Sequence, residues 1–297
     1  MKNGPECIPC CLRRILQVSR LVTADEWLHR KILDEAMPEL ARVDELSSPA
    51  EVVHAAFKRA AKTLGDPDPF APEKRRWVEE TVGNIELFRE SIQASPDPFR
   101  RALELSLAAN IFDSEFREEV DPGFSLRALL KNDSPARFAP SVAENLEDFR
   151  DAVERSQRIL FVHDSAGELV FDRLLIETLG KAPEQVVSVV REAPVFADAT
   201  EADAKAAGLD QVVGQIINPG VSCLGLPLAI CSQALRDEYE AADLVVAKGQ
   251  AAWETLEGEN AEIDGVRRDI WFLLRAKCAF VARHLGVSVG DCVLELN

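Results

Sequence analysis

The chain has 297 residues, enough for about two domains or one large one. Its 34 Lys and Arg against 51 Asp and Glu leave a formal charge of −17, which argues against a broad grip on nucleic-acid backbones or anionic lipid. Hydrophobic residues make up 47%, which excludes wholesale disorder, and no stretch reaches the roughly 20 uninterrupted apolar residues of a membrane helix.

Near the start, Arg13 and Arg14 interrupt the first apolar run, so it does not read as a secretory signal. The seven cysteines are odd in number and mostly scattered, which suits a reducing compartment better than a disulfide framework. Together these features predict a cytoplasmic protein.

From the N-terminus to about residue 135 the pattern is helical. Apolar residues recur at helical spacing over Leu12–Leu21, Val52–Leu64, Trp77–Ile92 and Phe99–Ala109. Asp66-Pro67-Asp68-Pro69 and Ser95-Pro96-Asp97-Pro98 read as helix stops followed by new starts. The stretch from Lys131 to Ala136 reads as a linker.

Beyond it the period changes. Short apolar runs fall at Ile159–Val162, Gln185–Val190, Val212–Ile217, Asp243–Ala247 and Cys292–Leu296. Helical stretches lie between them at Phe171–Leu179, Leu228–Ala241 and Ile270–His284. Strands alternating with helices predict βαβ units and a largely parallel sheet. The expected organisation is therefore a helical N-terminal subdomain over 1–135 and an α/β domain over 136–297 that binds metal and phosphate.

Ligands of such sheets bind beyond the carboxyl ends of the strands. Three of these ends carry candidate chemistry: Asp164-Ser165-Ala166-Gly167, Asp198-Ala199-Thr200 and Lys248-Gly249-Gln250. Two carboxylates suit a hard divalent cation, and a neighbouring lysine suits a phosphate. Gly167 at a helix start adds backbone N–H groups for an anion. The plainer alternative makes Asp164 and Asp198 helix N-caps and Lys248 a solvated strand end. Cys7 and Cys10 form a CxxC at the start of the first helix. Packing, a second metal and a redox pair remain its readings, in that order. His163 adjoins Asp164 in an extended segment and should point the other way. No dinucleotide fingerprint, Walker loop or serine nucleophile elbow is present in the sequence.

These residues carry a family likeness. Cys7-Ile8-Pro9-Cys10, the Asp-Pro turns at Asp66 and Asp97, Asn110-Ile111-Phe112-Asp113, Asp164-Ser165-Ala166-Gly167-Glu168, Ala197-Asp198-Ala199-Thr200 and Lys248-Gly249-Gln250 follow in order. Together they resemble the metal-dependent damage-control phosphatases, in their prokaryotic branch with an N-terminal CxxC. The likeness implies a three-layer α/β/α fold with a mainly parallel sheet beneath a helical N-terminal part. It implies hydrolysis of small phosphorylated metabolites, such as sugar phosphates or damaged phosphometabolites, with Mn²⁺, Mg²⁺, Co²⁺ or Ni²⁺. Carried over by position, Asp164, Ser165 and Asp198 would hold the metal. Asn110, Gly167, Glu168 and Gln250 would contact substrate, Lys248 would hold the phosphate, and Asp113 would assist proton transfer. Five positions depart from the family pattern. Ser165 and Ala197 replace asparagines, Ala251-Ala252 replaces Gly-Asn, and Trp253 replaces tyrosine. The second reading is thus a phosphometabolite-binding protein on the same scaffold that has lost turnover. A carboxyl methyltransferase is a further reading, without a Gly-rich donor loop to support it.

Overall fold

The computed structural model describes residues 1–41, 47–112, 126–131, 136–263 and 265–297. The N-terminal part is helical: α1 (Cys7–Val22), α2 (Glu26–Leu40), α3 (Pro49–Leu64), α4 (Ala71–Gly83), α5 (Ile85–Gln93), α6 (Pro98–Ala109) and α7 (Leu126–Leu130). Local chemistry sets several of their ends. Ser48 and Glu51 form a reciprocal cap on α3, Pro49 sits in its first turn, and Gly65 closes it in the left-handed region at φ 70°. Asp97 caps α6 through the Arg100 N–H, with Pro98 as the first helical residue. The periodic stretch Trp77–Ile92 is two helices, because the chain breaks at Asn84 (φ −113°, ψ 6°).

The sheet follows, with β1 (Arg137–Phe138), β2 (Ile159–Val162), β3 (Val186–Val189), β4 (Gln215–Ile217), β5 (Leu244–Lys248), β8 (Ile270–Arg275) and β9 (Asp291–Leu296) in the order β1-β9-β8-β5-β2-β3-β4. A separate hairpin pairs β6 (Glu262–Ile263) with β7 (Val266–Arg267). Pairing is parallel throughout the seven strands except between β8 and β9. Helices between them are α8 (Pro140–Glu144), α9 (Leu146–Arg155), α10 (Leu169–Thr178), α11 (Glu201–Ala206), α12 (Gln233–Ala241), α13 (Gly249–Leu256) and α14 (Ala279–Leu285). The expected helix over Ile270–His284 is corrected: its first half is β8, and only Ala279–Leu285 is helical. A fully buried strand shows no alternation, so its apolar run reads like a buried helix.

Alternate strand residues face two cores. Phe161, Val246, Trp271 and Leu273 pack with α4–α6, α9 and α10 on one side. Leu160, Val162, Val245, Phe272 and Leu274 pack with α12–α14 on the other. This is the three-layer α/β/α arrangement. A third cluster joins α1–α3 to Val195, Phe196 and Leu224, in the loops after β3 and β4. The first three helices therefore roof the carboxyl edge of the sheet. The chain leaves β2 toward β3 and β4, then returns to β5 on the other flank of β2. The crevice between the ends of β2 and β5 is the switch point where such sheets take ligands. Among the described residues no helix is long and apolar enough to cross a membrane.

Candidate active site

Asp164 stands at that crevice, two residues past β2 and 3% exposed. Its Oδ2 accepts from Asn110 Nδ2 at 3.0 Å and lies 3.7 Å from Lys277 Nζ. Asn110 ends α6, and its own Oδ1 accepts from the Arg275 backbone N–H at 3.1 Å. Gly249 follows directly on Lys248 with φ 83°. A Cβ there would fall 1.9 Å from Asp164 Oδ2, so the backbone of the β5–α13 turn presses against this carboxylate.

Beneath Asp164 runs a buried polar network. Glu168 accepts from Asn110 Nδ2 and from both the N–H and the hydroxyl of Ser165. Lys248 is fully buried, and its ammonium donates to Ser106, to Glu168 Oε2 at 2.6 Å and to Asp172 Oδ1 at 2.7 Å. Burial opposes the Lys248 charge, but Asp172 and Glu168 outweigh it and raise its pKa. Burial likewise opposes the charge of Asp172, and Lys248 and His163 overcome it to lower the carboxyl's pKa. His163 turns away from Asp164, with Nδ1 2.9 Å from Asp172 Oδ2 and Nε2 3.0 Å from Ser188 Oγ.

Asp198 enters from the loop after β3. An isolated backbone bridge joins it to Ser165, and its side chain is 3% exposed. Its Oδ2 accepts from Arg191 Nε at 2.6 Å, while Arg191 Nη1 donates to the Gly225 carbonyl. Burial opposes the Arg191 charge, yet Asp198 raises its pKa. Two residues earlier, Phe196 holds φ 49°, a strained conformation for an aromatic residue. Packing against Phe57 at 4.3 Å between ring centroids, and the Arg14 guanidinium 4.4 Å from its ring, hold it there. The roof helices thus fix the loop that presents Asp198.

Asp164 and Asp198 share the wall of a cavity of about 470 Å³. The rest of its lining includes Glu6 before α1, α1 (Cys7, Cys10, Arg13, Arg14), α3 (Ala50, Val53), α13 (Gln250, Ala251, Glu254) and the segment into α14 (Lys277, Cys278, Phe280), with Leu224. Gln250 bridges these elements: Nε2 donates to Glu254 Oε1 at 2.8 Å, and Oε1 accepts from the Lys277 backbone N–H. Burial pushes the Glu254 carboxyl up to about 7. Burial also raises the Cys7 and Cys278 thiols, which makes them poor thiolates.

Five of the expected residues therefore meet at one cavity: Asp164, Asp198, Gln250, Cys7 and Cys10. Five others lie beneath its surface. Lys248 spends its protons on Ser106, Glu168 and Asp172, so the expectation that it grips a phosphate does not match its placement. Ser165 and Glu168 form a capping box, and Asn110 braces Asp164 from below. Gly167 was expected to offer an anion its backbone, but it is buried, and a Cβ there would meet Phe112 Cβ at 2.6 Å. Gly167→Ala is expected to cost about 1–3 kcal/mol by overpacking, read as a lowered Tm in thermal unfolding. Asp113 lies outside the described residues. The N-cap alternative for the aspartates does not hold, because Ser165 and Thr200 occupy the cap positions. Arg14, Arg191, Glu254 and Lys277 were given no site role from the sequence; Arg14, Glu254 and Lys277 line the cavity, and Arg191 acts on it through Asp198.

The donor chemistry fits a hard cation. Two carboxylates on one wall suit Mg²⁺ or Mn²⁺, which commonly take one or two carboxylates together with waters and substrate phosphate oxygens. Among the described residues no three His, Cys, Asp or Glu side chains gather into a metal cage. Ser165 contributes none of the wall, since its hydroxyl lies 3.0 Å from Glu168 and its side chain is buried.

The family model described as the damage-control phosphatase ARMT1-like domain matches residues 4–293. The chain belongs to this family. A protein of Archaeoglobus fulgidus named damage-control phosphatase is 33% identical, covering 100% of this chain and 99% of that one. A Pyrococcus horikoshii protein, also named damage-control phosphatase, is 30% identical with the same coverage. The crystal structure of a DUF89 family protein from P. horikoshii superposes with a TM-score of 0.78 at 29% identity, covering 100% of this chain and 99% of that one. The α/β fold of the family is thus the fold of this chain.

Proposed function

We propose that the protein is a metal-dependent phosphatase that hydrolyses small phosphorylated metabolites, sugar phosphates or damaged phosphometabolites among them, in the cytoplasm. The observation that carries this is the meeting of Asp164 and Asp198 on one cavity wall at the switch point of the sheet. These two residues would hold the divalent cation, which supplies Lewis-acid charge to the phosphoryl oxygens when bound. Asn110 and Arg191 each fix one carboxylate oxygen, so the aspartates are oriented before substrate arrives. Lys277, Arg13 and Arg14 place positive charge on the same cavity, where it attracts a phosphate dianion. Val53, Leu224, Ala251 and Phe280 make parts of the lining apolar and limit water around the reacting group. The cavity of about 470 Å³ suits a metabolite and not a protein segment.

The second reading, binding without turnover, is favoured by one observation: the Ser165 hydroxyl is committed to Glu168 where the family pattern has an asparagine. Phosphate release from a panel of sugar and other metabolite phosphates separates the two. Turnover is expected with Mn²⁺, Mg²⁺, Co²⁺ or Ni²⁺ and is expected to vanish with EDTA, returning when metal is restored. Asp164→Ala is expected to fall to the EDTA level. Absence of release with every cation, from folded protein that still binds phosphometabolites by calorimetry, would establish the second reading instead.

A further inference from the structure

Phosphate esters with poor leaving groups need a proton on the departing oxygen, and a group that delivers it must hold that proton at working pH. We infer that Glu254 is this general acid, an inference that rests on the phosphatase reading. The carboxyl lines the same cavity as Asp164 and Asp198 and is otherwise enclosed, with the residue 5% exposed.

Helix geometry sets its reach. Gly249, the first residue of α13, touches Asp164. Glu254 lies five residues on, about 7.5 Å along the axis and roughly 140° around it from Gly249, on the same face as Gln250, and helical side chains lean back toward the N-terminus. The 2.8 Å bond from Gln250 Nε2 shows this backward lean. The carboxyl therefore lies on the Gln250 face of α13, and that face lines the cavity that Asp164 and Asp198 also line.

The surroundings leave it protonatable. Burial dominates, while Gln250 on its own helix, Arg14 from α1, the Met1 amino group and the Ala50 backbone N–H from α3 pull the other way, for a net pKa of about 7. Cys7 from α1 and Cys278 before α14 also face it. In the step, the bond between phosphorus and the ester oxygen breaks as a water oxygen bonds to phosphorus. The Glu254 proton passes to the departing alkoxide, giving an alcohol. The carboxylate then recovers a proton from the attacking water, so ester and water become alcohol and phosphate.

The test compares wild type and Glu254→Gln on p-nitrophenyl phosphate, whose phenolate leaves without a proton, and on an alkyl phosphate that wild type turns over. The variant is expected to keep the aryl rate within a few-fold and lose the alkyl rate by about 10²–10⁴-fold. Wild-type alkyl turnover is expected to decline above pH about 7, and the variant to lack that limb. Carbon-13 NMR of glutamate-labelled protein, wild type minus variant, is expected to show one carboxyl titrating near the same pH. Equal loss on both substrates, an unchanged alkyl rate, or a carboxyl that titrates in the ordinary range would overturn the assignment. Glu254→Asp keeps an acid at the site and decides the matter if the amide variant fails to fold: it should retain alkyl turnover better than aryl-matched Glu254→Ala. Failure of wild type on both substrates with every cation would instead remove the phosphatase reading itself.

Discussion

Gly249→Ala is expected to lower kcat/KM by at least about 100-fold while the protein still folds. Two effects combine at this position. The backbone sits at φ 83°, where any other residue pays about 1–3 kcal/mol of strain. The added methyl would also lie 1.9 Å from Asp164 Oδ2 and 2.1 Å from its Cγ, far inside contact distance. Asp164 has little room to withdraw, because Asn110 holds the same oxygen from below and Lys277 lies alongside it. Either the carboxylate or the β5–α13 turn must shift by about 1 Å, and a displacement of that size in reacting geometry costs about 100-fold. Gly258 provides the control, with φ 67° and open space around its missing Cβ. Gly258→Ala should show the strain alone, as a lower Tm with activity within a few-fold of wild type. Steady-state kinetics beside thermal unfolding for both variants makes the comparison. Equal activity in the two variants would remove the close approach from the account of the site.

The outline of this site was legible in the chain because strand ends announce themselves. Ile159–Val162 and Leu244–Lys248 are short apolar runs, and Asp164 and Lys248 mark where they stop. The loop bearing Asp198 was found the same way. What a strand end does not announce is the direction of a long side chain. Lys248 closes β5 and could turn up toward ligand or down under the sheet edge. The acceptors that draw it down, Ser106 and Asp172, sit on α6 and α10, far away in sequence. Gly167 misled for a similar reason, since a glycine that relieves packing on Phe112 looks the same in sequence as one that opens an anion site. Ile270–Arg275 was read as helix because its burial on both faces erased the period-two signal, and a true helix follows it closely. The cavity itself had no sequence signature. Its wall is assembled from α1, α3, α13 and the approach to α14, so Arg14, Glu254 and Lys277 gain meaning only through tertiary contact.

Lys248→Met is the variant that separates support from catalysis, and its expected loss falls on stability. Methionine nearly matches the length of the lysine stem but leaves Glu168 and Asp172 buried without their cation. Breaking a buried pair by removing one partner costs about 3–5 kcal/mol, a large part of the 5–15 kcal/mol typical of a domain. The pH dependence carries a sign. Asp172 has its pKa lowered in the fold, so its contribution is present above the unfolded value of about 3.9 and is lost as pH falls through the folded one. Lys248 has its pKa raised, so its contribution is present below the unfolded value of about 10.4 and is lost as pH rises through the folded one. The wild-type network is therefore intact between about pH 4 and 10. In the variant Asp172 no longer faces an ammonium and takes up a proton more readily. The stability gap between wild type and variant should be widest near neutral pH and narrow as acid neutralises Asp172. Denaturant unfolding of both proteins from pH 4 to 8 measures it. A lysine that gripped substrate phosphate would behave otherwise: its loss would raise KM, leave stability near wild type, and produce no narrowing of the gap in acid.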